Sequence, residues 1–263
     1  MSTVGTLHEP GAWQRGNDRK PPFAIAFIGL GALIIVLIGV WATVRGEPEL
    51  LPRSLLMGAF FSTLAAYVYS TRVRSRHHES HIALTTYRRT RATEIRYSRT
   101  QHLLFTANIA SLAAWATAGA LEFTFTGEPP DPTLVAVWGA CAALSAGCLL
   151  LIAVGRVQRG RLLLTEAGVH QEGQWGKSFL AWDSATGIEP AHDGRSATIT
   201  LPAPEGAAPE KTGSPGLHIN TSVFDLDRAL VYHLLRHYLE NPQDRAELGT
   251  NASLERIRSR AFR

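Results

Sequence analysis

Four long runs of apolar residues dominate the first 155 positions of the chain. Residues 23–44 read FAIAFIGLGALIIVLIGVWATV without a charge, and residues 54–70, 103–121 and 133–155 form three further uncharged runs. An α-helix rises about 1.5 Å per residue, so runs of this length match the roughly 30 Å hydrocarbon core of a bilayer. The pattern predicts a four-helix transmembrane region over residues 23–155.

The second run, residues 54–70, is the shortest of the four and lies at the lower limit for crossing a bilayer. Leu50 and Leu51 could extend it, although Pro52 and Arg53 interrupt the apolar pattern. The first run is followed by no convincing small-x-small cleavage site. It is therefore interpreted as a retained anchor and not as a cleaved signal peptide.

Charged residues beside the runs predict the orientation. The loop 71–102 contains eight arginines but only Glu79 and Glu94 as acids, whereas residues 122–132 contain three acids and no Lys or Arg. Basic flanks favour the cytosolic side. We therefore expect a multi-pass protein of the plasma (inner) membrane with both termini in the cytosol, including a disordered N-terminal tail, residues 1–22.

The net charge of +4 belongs to this membrane region, because the chain from Arg156 onward has as many acidic as basic residues. Membrane topology explains the excess better than nucleic-acid binding, which is not expected. The four runs contain no Asp, Glu, Lys, Arg or His. Pumps, ion-coupled transporters and intramembrane proteases usually need such groups at depth, so the pattern argues against them.

Small residues four apart predict where transmembrane helices meet. Gly139, Ala143 and Gly147 in the fourth run form the best candidate helix–helix interface, and they could support a homo-oligomer. Asn108 is the single amide of the third run. It is interpreted as an interhelical hydrogen-bond donor and not as part of a substrate site.

The Arg-rich loop 71–102 contains no Gly or Pro, so helical extensions of the flanking spans are expected to fill much of it. Its candidate contacts with anionic lipid headgroups are Arg88, Arg89, Arg91 and Arg96. A purely topological role for these charges is the alternative.

Histidines in two places have the four-residue spacing that metal ligands use on a helix. His77 and His81 share a helical face, but the surrounding positive charge and the lack of a second ligand cluster disfavour a cation. His233 and His237 are read as ordinary surface histidines. No metal site, cofactor or catalytic residue is predicted, and no nucleophile-elbow, P-loop or zincin motif occurs.

Short alternating segments replace the long runs after residue 156. The predicted strands are 162–165, 169–172, 178–182, 196–201 and 217–220. The Pro- and Gly-rich residues 202–216 between the last two strands are expected to form a mobile loop.

One amphipathic helix should close this domain. Asp225 can cap it, and Leu226, Leu230, Leu234 and Tyr238 form its apolar stripe. The expected fold over residues 156–242 is a small cytosolic α+β domain, an antiparallel barrel or sandwich closed by the helix. A more polar helix is expected in the tail, residues 243–263.

The segments LLLTEAGVHQEG and LAWDSATGIEP resemble bacterial pleckstrin-homology-like (PH-like) domains attached to membrane spans. Those domains often read Leu-x-Leu-Thr-x-x-Gly-Val, followed by Pro-Trp-x-x-Ile. The matching positions here are Leu162, Leu164, Thr165, Gly168, Val169 and Trp182. Ala181 and Ala185 replace the usual Pro and Ile. With the closing helix LLRHYLENP, the layout resembles that of four-span actinobacterial membrane proteins, and it implies a PH-like fold with an interaction role.

The leading functional hypothesis is a non-enzymatic membrane protein whose cytosolic domain binds a protein partner or organises a complex. A small transporter or channel subunit, assembled through the small-residue faces, is the alternative. An enzyme acting on lipid is the least favoured. It would require His77, His81 and Glu79 to converge at the inner leaflet.

Overall fold

A computed structural model describes residues 7–14, 21–72, 82–125, 131–173, 176–192, 196–204 and 216–262. The chain divides into two compact units. A helical unit contains residues 21–72 and 99–158. A sheet unit combines three separate stretches, residues 7–14, 82–98 and the described residues of 159–262.

The helical unit consists of four helices, each long and apolar enough to cross a membrane. They are α2 (Pro21–Val44), α3 (Leu50–Arg72), α4 (Arg99–Phe125) and α5 (Pro132–Ala153). Four helices are thereby confirmed at the positions of the predicted spans. The second begins at Leu50 and includes Pro52, because a proline in the first turn of a helix removes no intrahelical hydrogen bond.

Successive helices of this unit pack against one another through small residues. A Cβ on Gly58 of α3 would lie 2.5 Å from Val36 Cγ2, and one on Gly39 of α2 would lie 2.5 Å from Ser54 Cβ. Gly119 of α4 similarly accommodates the indole of Trp138 on α5. Glycine at these positions allows the helix backbones to approach closely.

The described residues of the sheet unit form eight strands in two antiparallel sheets. The first sheet has the order β1 (Ile82–Tyr87), β2 (Thr90–Arg96), β3 (Arg161–Thr165), β4 (Gly168–Glu172) and β5 (Lys177–Ala181). The second has the order β6 (Glu189–His192), β7 (Ala197–Leu201) and β8 (Leu217–Asn220). Five strands were predicted from the sequence and are confirmed within one or two residues.

The expected helical filling of the Arg-rich loop is wrong for residues 82–96. They form the hairpin β1–β2, and β2 pairs with β3, where Ala92 faces Thr165 and Arg96 faces Arg161. The loop therefore completes a sheet whose other strands come from the C-terminal part of the chain. Arg88 and Arg89 make the turn without glycine by adopting φ angles of 47° and 71°.

The core of the sheet unit lies between the sheets and α6 (Arg228–Glu240). Leu226, Leu230, Leu234 and Tyr238 are all buried, which confirms the predicted stripe. The predicted cap is wrong by two residues. Asp227 Oδ1 accepts the backbone N–H of Ala229 at 2.9 Å, so Asp227 is the N-cap.

The C-terminal tail contains a 3-10 helix, Pro242–Glu247, and α7 (Asn251–Ser259), so part of its predicted helix is present. The expected disorder of residues 1–22 is wrong for residues 7–14. They include the short helix α1 (Gly11–Gln14), and Trp13 is fully buried. Most of the predicted mobile loop, residues 205–215, lies outside the described residues.

Candidate interaction surfaces

The N-terminal segment Leu7–Gln14 lies against β6 and α6 of the sheet unit. The indole N–H of Trp13 points to two backbone carbonyl oxygens, those of Ala191 at 3.0 Å and Thr198 at 3.2 Å. Its ring makes an edge contact with Tyr232, with centroids 5.7 Å apart. Trp13 thus combines an apolar body with a satisfied polar group, as a buried indole requires.

Charged and polar contacts fix the rest of this segment. The guanidinium of Arg228 donates to both carboxylate oxygens of Glu9, at 2.9 and 2.8 Å, and lies 5.7 Å from the Trp13 ring centroid. Nε2 of His233 lies 3.0 Å from the carbonyl oxygen of His8. The histidine is therefore used in a contact that the sequence did not reveal.

A cavity of about 670 Å³ lies between residues 182–188 and α6. Its lining combines apolar and charged side chains: Trp182, Asp183, Ile188, Tyr232, Arg236 and Glu240. Tyr232 belongs both to the cavity and to the contact with Trp13. We use the name β6–α6 groove for the part that Leu7–Gln14 occupies together with the open cavity.

One wall of the groove is held by Arg245. Its guanidinium donates to Asp183 Oδ1 at 2.8 Å and to the carbonyl oxygen of Tyr238 at 2.9 Å, and it lies over the Trp182 ring. Trp182 donates its indole N–H to the carbonyl oxygen of Thr165 at 2.8 Å. The predicted core anchor Trp182 therefore also positions one side of the groove.

The outer face of the five-stranded sheet has a polar centre at Glu172. Its carboxylate accepts hydrogen bonds from Arg161 at 2.6 Å, Lys177 at 2.7 Å and Tyr87 at 3.3 Å. Burial alone raises the pKa of Glu172, but the hydrogen bonds from Lys177 and Arg161 outweigh burial and lower the pKa below the usual 4.5. The carboxylate is therefore ionised at neutral pH.

Aromatic rings cross the same face. His170 stacks on Phe179 with centroids 4.3 Å apart, and Tyr87 lies 4.8 Å from His170 on the other side. Burial, followed by the positive charge of Arg88, lowers the pKa of His170, so its ring is neutral at pH 7. Phe179 remains 41% exposed at the end of this row.

The four arginines predicted to contact anionic lipid do not form one cluster. Arg88, Arg89 and Arg91 are exposed at the tip of the β1–β2 hairpin. Arg96 lies at the opposite end of β2, about 17 Å from Arg91 at 3.3 Å per residue, and it bonds to Glu94 at 3.2 Å. Within the described part of the chain, no carboxylate pairs with the three arginines at the tip.

The predicted helix–helix interface of α5 is exposed. Gly139, Ala143 and Gly147 lie on the outer side of the helical unit, and a Cβ on either glycine would meet no atom within 4 Å. The opposite face of α5 makes the contact within the chain, where Trp138 packs edge-on against Trp115 of α4. An interface between copies of the chain remains a prediction for the Gly139–Gly147 face.

Asn108 makes the interhelical hydrogen bonds that its sequence position predicts. Its amide nitrogen donates to the carbonyl oxygen of Phe60 at 3.0 Å and to Oγ1 of Thr63 at 3.2 Å, both on α3. The amide therefore connects α4 with α3.

The histidines give no metal centre. His77, His81 and Glu79 lie outside the described residues. His237 is buried and bonds to Asp244 Oδ2 at 2.9 Å, which corrects its interpretation as a surface residue. Among the described residues, no group of three His, Cys, Asp or Glu side chains could hold a metal ion.

Sequence reasoning missed both the groove and its occupant. The only signal for the occupant was a tryptophan in a short polar segment, a residue type that is rarely left fully in water. Comparisons of the chain with models of known families, with curated proteins and with solved structures found no match.

Proposed function

We propose that this protein is a non-enzymatic membrane protein whose sheet unit is a PH-like interaction module on the cytosolic side. One observation carries the proposal. Three stretches of chain that alternate with pairs of candidate spans, residues 7–14, 82–98 and 159–262, fold together as one unit. Four crossings bring such stretches to the same side of a membrane, where they can present a single folded body.

Charge supports the cytosolic side for this body. Basic clusters occur in three places: the N-terminal tail, the loop 71–102 and the residues directly after α5. The loop 122–132 is acidic. Positively charged flanks are retained on the cytosolic side during insertion. The connection of α2 with α3 and that of α4 with α5 then face the opposite side.

An interaction role, and not catalysis, agrees with how polar groups of the sheet unit are used. Glu172, Arg245 and His237 are engaged in contacts that hold strands and helices of the unit together. What the unit offers outwards is an aromatic row ending at Phe179, an open groove and a basic hairpin tip. Exposed aromatic residues are enriched at protein–protein contacts.

The hairpin tip is the candidate contact with anionic headgroups. Each of Arg88, Arg89 and Arg91 contributes roughly 1 kcal/mol when it lies at an anionic surface. Limited trypsin cleavage of the full chain in nanodiscs tests this contact. We expect slower cleavage at these arginines in anionic than in neutral nanodiscs, with cleavage at exposed Arg258 as the control. Equal rates at the tip would contradict lipid contact.

Cysteine labelling tests the orientation. Starting from the chain with Cys141→Ser and Cys148→Ser, single cysteines are introduced as Glu47→Cys and Thr90→Cys. A membrane-impermeant maleimide should label the first in intact cells and the second only after permeabilisation. The reverse pattern would place the sheet unit outside the cytosol.

Photo-crosslinking of the full chain in its native membrane tests the interaction role. Phe179→p-benzoylphenylalanine places the crosslinker on the exposed aromatic row with little change in shape. The matched control places it at exposed Glu255 of α7. We expect a discrete protein adduct from position 179 alone. Absence of protein adducts at position 179, or identical adducts from both positions, would contradict the proposal.

A further inference from the structure

The β6–α6 groove is filled by the chain itself over only part of its length. The segment Leu7–Gln14 occupies the part beside Arg228 and Tyr232, and about 670 Å³ remains open towards Arg236 and Glu240. Tyr232 lines the open part and also contacts Trp13, so the two parts adjoin at this residue.

The occupied part recognises side chains. Arg228 takes the Glu9 carboxylate with two parallel hydrogen bonds, the geometry in which guanidinium groups bind carboxylates most specifically. Four residues later, Trp13 is fully buried and its indole nitrogen faces two carbonyl oxygens. The groove therefore binds two chemical groups of the segment, a carboxylate and, four residues later, an indole.

The segment itself has little structure to contribute. Its only helix, α1, is four residues long. Helices this short are not stable alone, because the free energy required for nucleation exceeds the stabilisation from a single turn. The conformation of Leu7–Gln14 therefore depends on its contacts with the groove.

We infer that the β6–α6 groove is a docking site for peptide segments that carry a carboxylate and, four residues later, a tryptophan. Leu7–Gln14 is a tethered copy of that ligand, and a partner protein's segment of the same chemistry displaces it. The open part, with Arg236 and Asp183 in its lining, accommodates further residues of the partner. The inference rests on the proposed role of the sheet unit as an interaction module.

Tethering sets the affinity that a partner must reach. A ligand segment that is covalently linked to the protein carrying its site has an effective concentration of the order of millimolar. Because the segment stays docked under that condition, the free segment should bind an emptied groove with half-saturation below about 1 mM. A partner that also fills the open part gains further contacts and can compete at lower concentration.

The test uses the full chain in nanodiscs and a fluorescein-labelled peptide with the sequence of residues 7–14, LHEPGAWQ. Glu9→Arg places like charges against Arg228 and should release the segment, including Trp13, from the groove. Trp13→Ala is the second emptied variant. We expect the peptide to bind both variants at least about tenfold more tightly than the wild-type chain, in which the tethered segment competes.

A charge exchange provides the matched control. In the Glu9→Arg background, Arg228→Glu should return the chain's own segment to the groove and abolish binding of the added peptide. In the Trp13→Ala background, Arg228→Glu should weaken the wild-type peptide at least about tenfold, and a peptide carrying Glu9→Arg should restore binding. Equal binding to emptied and wild-type chains, or no saturable binding to either emptied variant up to about 1 mM, would overturn the inference.

The result of the peptide-binding test can be distinguished from the result of the crosslinking test of the proposed function. Protein adducts from position 179 together with no peptide binding would leave the interaction role standing and remove the groove as a peptide site. Peptide binding without adducts at position 179 would support the groove and move the interaction surface away from the aromatic row.

Discussion

The two units of this protein use exposure in opposite ways. In the helical unit, large apolar side chains are open on the molecular surface, such as Phe27 at 70% and Leu144 at 76%. In the sheet unit, Leu162, Leu163 and Leu164 are consecutive and all fully buried. Burial keeps water from the second set, whereas the first set suits contact with lipid. Exposed apolar surface destabilises a unit in water but is required of helices that span a bilayer.

Polar groups differ between the units in the same way. Hydroxyls of the helical unit mostly bond to their own helix, as Thr106 does to the carbonyl oxygen of His102 and Ser111 to that of Ala107. Polar groups of the sheet unit join distant parts of the chain, as Thr93 does with Ser253 at 2.9 Å. A unit in lipid satisfies its polar groups locally, whereas a unit in water can use them to join separate stretches.

The largest effect that separates the units is expected from truncating a core leucine. Leu164→Ala on β3 should lower the free energy of unfolding of the sheet unit by about 2–5 kcal/mol, because it leaves a cavity in a closed core. Leu144→Ala on α5 should change the free energy of unfolding of the helical unit by less than about 0.5 kcal/mol. Urea unfolding in mild micelles, followed by tryptophan fluorescence, measures both. Similar losses would contradict the distinction.

A charge introduced on an exposed leucine should be costly in the helical unit and nearly neutral in the sheet unit, the reverse of the effect of truncation. Leu144→Lys places an ammonium near the middle of α5, and its insertion should become less favourable by about 2.5–3.5 kcal/mol. Leu84→Lys, on the exposed edge strand β1, should be nearly neutral because its side chain already meets water. The membrane-integrated fraction after cell-free synthesis with microsomes reports the effect. Equal integration of the two variants would place Leu144 outside the lipid.

Within the helical unit, two glycines should respond differently to the same change. Gly58→Leu forces a side chain into Val36 across the α2–α3 contact and should cost about 1–3 kcal/mol. Gly139→Leu meets open space and should leave thermal stability in micelles unchanged. If Gly139→Leu also dissociates an oligomer in light scattering, the small-residue face of α5 acts between copies of the chain.

Acidification should weaken the sheet unit through Glu172. Its pKa is lowered on folding, so the stabilisation is complete above the unfolded value of 4.5 and is lost as the pH falls through the folded value. Glu172→Gln should cost about 1 kcal/mol at pH 7, since water screens both partners: Lys177 is largely exposed and Arg161 is partly exposed. Urea midpoints measured from pH 7 down to pH 3 should fall less steeply for the variant than for the wild type.

The smallest effect is expected at the hairpin turn, and it should be stabilising. Arg88→Asn with Arg89→Gly supplies residues that tolerate the positive φ angles of this turn, and should add about 0.5–1 kcal/mol. Ala167→Gly in the neighbouring β3–β4 turn, where φ is not positive, should give no gain. A more stable variant whose tip cleaves equally fast in anionic and neutral nanodiscs would show that the arginines are retained for binding at the expense of stability.

The helical unit was predictable because each span is specified by its own composition. A run of 17 to 23 apolar residues needs no partner in order to be recognised. The strands β3, β4 and β5 were similarly visible in alternation and turn residues. The cap at Asp227 was missed by two residues, because Asp225 and Asp227 flank Leu226, the first residue of the stripe, and either aspartate can cap a helix.

The hairpin β1–β2 and the segment around Trp13 could not be predicted, because each acquires its structure from residues far along the chain. Residues 82–87 read IALTTY, which suits a strand, yet the partner that stabilises β2 is β3, which lies beyond two spans. Strand β6 contains Pro190, a residue compatible only with an edge position. Pairing between distant segments depends on tertiary structure, which the local sequence pattern does not predict.

The discontinuity of the sheet unit has a consequence for biosynthesis. The ribosome makes Trp13 first, the hairpin β1–β2 second and β3 last, with a pair of spans inserted before each later part. In the proposed topology, β3 has β2 beside it, and the groove has its occupant, only after each pair of spans has crossed the bilayer. Completion of the sheet unit then depends on correct insertion of the spans. A chain with one inverted span keeps an exposed strand edge of the kind that quality-control proteases and chaperones recognise.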